Sequence, residues 1–164
     1  MLKDDNRGIS LVEILAVISI LAILASGGIS LYGQLGYADT KRAANRVNSA
    51  MEEVRMESMS RDRKPYLYLY QIDGTYYLKR STEANQAAAE LEAASGTLIS
   101  EKISLSFRIT PSQDVTLDPG MALRISFDRS SGRFDQELER IQIRSANAVT
   151  EITCVPETGR HWAE

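Results

Sequence analysis

Glu13 is the residue whose setting most needs a chemical account. It sits among aliphatic side chains, after Ile9, Leu11 and Val12 and before Ile14, Leu15 and Val17. An ionised carboxylate deep in a membrane helix costs about 2.5–3.5 kcal/mol on insertion scales, so such a group takes a partner. No Lys or Arg stands at helical spacing on its C-terminal side. Arg7, six residues before it, is not an i±3 or i±4 neighbour. The counter-charge must come from outside the segment, as from a second copy of the chain. The alternative is a carboxylate that snorkels at the membrane surface. Other reactive residues are sparse. Cys154 is the single cysteine and His161 the single histidine, which leaves no internal disulfide and no zinc ligand set. Cys154 reads as a small apolar residue in a late strand. There is no Gly-rich phosphate loop and no Gly-x-Ser-x-Gly elbow. The chain is expected to be no enzyme and to carry no cofactor or metal.

The element that must hold Glu13 is visible in the hydropathy. Ile14 to Leu31 is a run of 18 residues without charge or proline. As a helix it would be roughly 27 Å long, near the thickness of a bilayer core. After it the chain is polar and mixed. The net charge is −3 and the pI near 5.3, which gives no bulk attraction to nucleic acid. The layout is one apolar anchor followed by one soluble head.

Three readings compete for residues 1–31: a cleaved secretory signal, a plain membrane anchor, or a prepilin leader. The apolar run is long for a secretory signal, although Ala22-Ile23-Leu24-Ala25-Ser26 imitates a cleavage site. A plain anchor leaves Glu13 unexplained. The stretch Arg7-Gly8-Ile9-Ser10-Leu11-Val12-Glu13 resembles the cleavage and methylation motif of type IV prepilins and type II secretion pseudopilins. That motif is a charged leader ending in Gly, a hydrophobic first mature residue, a small polar residue, two aliphatics, Glu, and a long apolar helix. Two departures stand: the first mature residue is Ile9 where Phe or Met is usual, and the proline many members carry along the helix is absent.

The resemblance implies a pathway. A prepilin peptidase would cut between Gly8 and Ile9 on the cytoplasmic side and methylate the new amine of Ile9. Gly8 suits a narrow cleft because it has no side chain. Glu13 would pair with the α-ammonium of a neighbouring subunit. The implied partners are other pilin subunits, the peptidase, an inner-membrane assembly platform and membrane lipid. The implied location is a single-pass cytoplasmic membrane protein that later joins a surface filament. Gly27-Gly28 keeps two readings: small residues for close helix packing in the membrane, or a flexible point at which the helix stretches. Lys3 and Arg7 favour a cytoplasmic N-terminus, but Lys41, Arg42 and Arg46 follow the run. The orientation therefore rests on the leader motif.

The rest of the chain fits an α+β pilin fold, with one long helix packed on an antiparallel sheet. Tyr37, Thr40, Ala44, Val47, Met51, Val54 and Ser58 recur at three- and four-residue spacing, and Asp62 to Pro65 ends the pattern. The expected division is 1–8 leader, 9–31 membrane half of the helix, 32–62 amphipathic half, and 65–164 head. Tyr66–Ile72 and Thr75–Arg80 flank Asp73-Gly74, a hairpin signal. The tyrosines there are expected to be half-buried and to face the helix rather than to form a stacking platform. Residues 81–95 read as a short helix or a variable loop. Strands are expected at Ile99–Ile109, Met121–Phe127, Leu138–Arg144 and Val149–Val155.

The C-terminal third is similar to the H-type pseudopilins and their FimT-like minor pilin relatives, which end in a sheet with a Thr-Gly-Arg turn; here Thr158-Gly159-Arg160 follows Ile152-Thr153-Cys154-Val155. Some of those relatives bind DNA near that end. The residues here that resemble such a site are Arg160, His161 and Trp162, with Glu157 and Glu164 beside them. A DNA site needs several clustered cations, so the expectation is a structural turn, without nucleic acid as a partner.

Overall fold

Helix α1 spans Leu11–Ser60. The computed structural model describes residues 10–60, 62–86, 91, 95–146 and 148–164, except for the side chains of 25–35. The chain divides into two compact units, Met1–Leu35 and Gly36–Glu164.

In the first unit α1 is opened by Ser10. Its carbonyl accepts from Glu13 N at 3.0 Å and its Oγ from the same amide at 3.2 Å, which is the geometry of an N-cap. In the second unit the helix is amphipathic. Ala43, Ala44, Val47, Ala50, Met51 and Val54 are buried on one face. Thr40 and Ser58 share that face with their hydroxyls satisfied: Thr150 Oγ1 donates to Thr40 Oγ1 at 2.9 Å, and Ser58 Oγ donates to Val54 O at 2.8 Å. Tyr37 departs from the expected stripe and is 54% exposed.

Among the described residues the head has nine strands: β1 Tyr66–Ile72, β2 Thr75–Ser81, β3 Thr97–Ser100, β4 Ser104–Ile109, β5 Val115–Thr116, β6 Ala122–Ile125, β7 Leu138–Ser145, β8 Ala148–Val155 and β9 Arg160–Ala163. They form two antiparallel sheets, ordered β3-β2-β1-β6 and β5-β4-β7-β8-β9. The expected hairpin is β1–β2, with Ile72 opposite Thr75 and positive φ at both Asp73 and Gly74. The helix face, Leu67, Leu69, Leu78 and Ile125 of the first sheet, and Leu105, Ile141, Ile143 and Ile152 of the second join one continuous core. Cys154 is part of it. Burial pushes its thiol up to about 12, so it behaves as a small hydrophobe.

Three expectations are corrected. The run 99–109 is not one strand. Lys102 N donates to Ser100 Oγ in a turn, so β3 joins one sheet and β4 the other. The tyrosines of β1 do not face the helix. Strand alternation turns Leu67 and Leu69 to the helix and Tyr66, Tyr68 and Tyr70 to the opposite face, where they pack with Tyr77, Ile72, Ala122 and Leu91. Tyr68 Oη donates to Glu83 O at 2.7 Å, tying the segment after β2 over that face. Two strands beyond those expected, β5 and β9, form the two edges of the second sheet.

The end of the chain is pinned by two glycines. Gly132 (φ 66°) and Gly159 (φ 68°) bring two turns into backbone contact, and a Cβ on Gly159 would lie 1.8 Å from Gly132 O. Arg55 of the helix holds both turns, with Nε donating to Gly132 O at 3.1 Å and Nη2 to Thr158 O at 3.3 Å.

Candidate functional site

The described part of the first unit is the start of α1, and its defining property is a lack of any polar face. Leu11, Val12, Ile14, Leu15, Val17, Ile18, Ile20, Leu21, Ile23 and Leu24 are each at least 50% exposed. They point in every direction around the axis. A helix apolar all round is stable only when something apolar surrounds it. Ser19, the one hydroxyl between Ile14 and Leu24, is satisfied within the helix by donating to Leu15 O at 2.8 Å. That arrangement leaves no donor demanding water.

Glu13 stands in the first turn of this helix, exposed, and makes no ion pair among the described residues. Its place at the N-terminus is favourable in itself, because the helix dipole attracts a carboxylate there. Ser10-Leu11-Val12-Glu13 also fits the Ser-x-x-Glu capping pattern. The motif reading took Ser10 only as a small polar residue and passed over its role as the N-cap of α1. The signal for it was present: a Ser three residues before a Glu at the head of an apolar run.

Gly8 and Ile9, the expected cleavage and methylation positions, lie outside the described residues. Gly27 and Gly28 fall inside the bounds of α1, with their surroundings outside the described residues. Among the described residues no helix is long and apolar enough to cross a membrane. The apolar run 14–31 extends past that window into residues whose side chains are not described.

The structure does not bring Arg160 and His161 to one surface. They are adjacent on β9 and alternate in direction. Arg160 is exposed, whereas the His161 side chain is 1% exposed. Its ring packs against the Phe127–Phe134 pair, with its centroid 6.1 Å from each. Nδ1 is 3.1 Å from Gly159 O and Nε2 is 3.3 Å from Asn48 O, with Glu52 Oε2 at 3.6 Å. The ring thus ties the last strand to the helix and offers no edge to a phosphate. Trp162, the next residue, is 41% exposed and donates to Glu164 Oε1 at 2.6 Å.

Elsewhere in the head two carboxylates, Asp114 and Asp128, serve the fold. Asp114 accepts from both Arg108 and Arg140 on the outer face of the second sheet, and these guanidiniums, Arg140 foremost, hold its carboxyl below the usual range. Asp128 Oδ1 accepts from the hydroxyls and amides of Ser131 and Ser130, which lowers its pKa in the same way.

No curated protein and no solved structure matches the chain. The family model of the prokaryotic N-terminal methylation motif matches residues 3–29. Those residues include Gly8, Ile9, Ser10 and Glu13 and most of the apolar run. An α+β head of one helix on antiparallel sheets, behind that motif, is consistent with a pilin fold. The chain carries the N-terminal methylation motif typical of type IV pilins and pseudopilins.

Proposed function

We propose that the chain is a structural subunit of a type IV pilus-like filament or of a secretion or competence pseudopilus. In this reading a prepilin peptidase removes residues 1–8 after Gly8 and methylates Ile9. Residues 9–31 then hold the subunit in the cytoplasmic membrane until an assembly platform extracts it into a surface filament. The carrying observation is the methylation motif at 3–29, running into a helix whose aliphatic side chains face outward on all sides.

Glu13 is the assembly residue of this proposal. Its carboxylate pairs with the Ile9 α-ammonium of a neighbouring subunit. A subunit out of register leaves both charges buried and unpaired, which costs far more than the pair contributes. Gly27 and Gly28 supply the point at which the helix adjusts during extraction, in place of the proline common in relatives. The Thr158-Gly159-Arg160 turn supports a minor, H-type subunit over a shaft-forming one. The inward ring of His161 weighs against a DNA-uptake role. No catalytic role is proposed.

The test is intact-mass and N-terminal peptide spectrometry on protein made with and without a prepilin peptidase. The expected result is loss of residues 1–8 and one methyl group on Ile9, only when the peptidase is present. An unprocessed N-terminus in both hosts overturns the proposal.

A further inference from the structure

The charge of the head is unevenly distributed. One end gathers the start of the second unit, the β3–β4 loop and the β7–β8 hairpin. A Cβ on Gly36 would lie 3.7 Å from Ser145 Oγ and 3.9 Å from Ala148 Cβ, and Thr40 and Thr150 are hydrogen-bonded at 2.9 Å. Arg42, Arg46 and Lys102 line one cleft of about 250 Å³ together with Asp39 and Glu101, and Arg46 Nη1 donates to Leu98 O at 3.0 Å and Ile99 O at 2.9 Å. Ser104 pairs with Arg144, and Arg144 with Val149, across β4, β7 and β8. This end therefore presents Lys41, Arg42, Lys102 and Arg144, all exposed, beside Tyr37 (54% exposed) and Val149 (48%). With Arg46, five cations here stand against two acids, Asp39 and Glu101, so the end is +3. The other 12 cations and 17 acids of Gly36–Glu164 make the rest of the head −5.

The aromatic is part of the pattern. Lys41 Nζ lies 5.6 Å over the Tyr37 ring, which directs the ammonium back along the helix toward its N-terminus. A tyrosine flanked by cations and an exposed aliphatic is the composition of a membrane interface, with the ring at headgroup level and the ammonium and guanidinium groups toward phosphate. Gly36 follows Leu31 by five residues, at most about 18 Å of fully extended chain.

We propose that this end of the head is a seat for an anionic phospholipid surface, with Tyr37 and Val149 in the headgroup layer and Lys41, Arg42, Lys102 and Arg144 on lipid phosphates. The seat holds the unassembled subunit against the bilayer, and its acidic remainder is repelled from it. This inference rests on the membrane-anchor reading above.

The experiment uses the full chain in vesicles of phosphatidylcholine, with and without phosphatidylglycerol. Flotation reports insertion. Lysine acetylation with a water-soluble reagent, read by peptide mass, reports the seat, and Lys79 on β2 is the internal reference. The chain is expected to float with both vesicles. Reactivity of Lys41 and Lys102 relative to Lys79 is expected to fall about threefold or more only with phosphatidylglycerol, and to return in 1 M salt, where the screening length is about 3 Å. The variant Lys41→Glu/Arg42→Glu is expected to float unchanged while Lys102 becomes reactive again. Flotation with equal reactivity in both vesicles overturns the lipid seat. No flotation with either overturns the anchor reading instead, and the seat with it.

Discussion

Two stretches of the same helix meet opposite conditions. From Leu11 to Leu24 every large aliphatic side chain is at least half exposed, whereas from Ala43 to Val54 the apolar residues are buried against the two sheets. Helix propensity is similar in both. What differs is where the partner lies: the second stretch has its partner in the chain, and the first needs one supplied from outside. An apolar surface left uncovered by its own fold is a statement about environment, whether bilayer or neighbouring helices. The methylation motif at residues 3–29 coincides with the stretch that lacks an internal partner.

The largest test of this contrast is Glu13→Ala. Removing one member of a buried ion pair costs about 3–5 kcal/mol, which is enough to remove filaments from electron micrographs. Processing at Gly8 and thermal unfolding of the head are expected to stay as in wild type. Normal filaments from this variant would leave Glu13 as an ordinary first-turn carboxylate. Glu13→Gln refines the result, because it keeps shape and hydrogen bonding while discarding charge.

A matched pair of truncations comes next. Met51 is fully buried, so Met51→Ala is expected to destabilise the head by about 2–5 kcal/mol in denaturant titration. Ile18 is 59% exposed in the first unit, so with Ile18→Ala the midpoint is expected to move by less than about 0.5 kcal/mol. The same variant should bind vesicles more weakly, by about 2 kcal/mol from the lost methylenes. If Ile18→Ala destabilised the head as Met51→Ala does, the contrast between the stretches would fail.

Arg55→Ala is a smaller step. Its guanidinium joins the turns at Gly132 and Thr158 to the helix, and charge-assisted bonds of this kind contribute about 1–2 kcal/mol when part-exposed. Hydrogen exchange is expected to rise first in β9 and the 156–160 turn, with β1 and β2 unaffected. Uniform exchange across both sheets would show that the C-terminal turn is held by the glycine contact alone.

What could be read in advance follows from how local each cause is. The Gly8–Glu13 motif is contiguous, and the Asp73-Gly74 turn needs only its own two φ angles, so both were legible. The helix limits were nearly so, since Pro65 forbids continuation. The split at Ser100-Glu101-Lys102 was not, because a polar triplet inside an aliphatic run looks like solvent-facing strand positions until two sheets compete for it. The face chosen by Tyr66, Tyr68 and Tyr70 depends on which side the segment after β2 covers, a long-range choice invisible in the alternation itself. His161 resembled a surface residue beside Arg160, and only the register of β8 with β9, Cys154 opposite His161, turns it inward.

The smallest expected effect concerns acid. Asp128 sits in a turn where the Ser131 and Ser130 hydroxyls and their amides all donate to Oδ1, so the folded state favours its carboxylate form. Asp114 between Arg140 and Arg108 behaves alike. A carboxyl whose folded pKa lies below its unfolded value of 3.8 adds stability that is complete above that value. The contribution is lost as pH falls through the folded value. Wild-type melting temperature should therefore be level near neutrality and decline below about pH 4. Asp128→Asn is expected to melt slightly lower at pH 7, with the gap to wild type closing in acid as the wild-type carboxyl protonates. Both residues belong to the head, so vesicle binding through the Leu11–Leu24 stretch should show no such dependence on Asp128. A gap that stays constant down to pH 2 would mean that the turn depends on the shape of the side chain rather than on its charge.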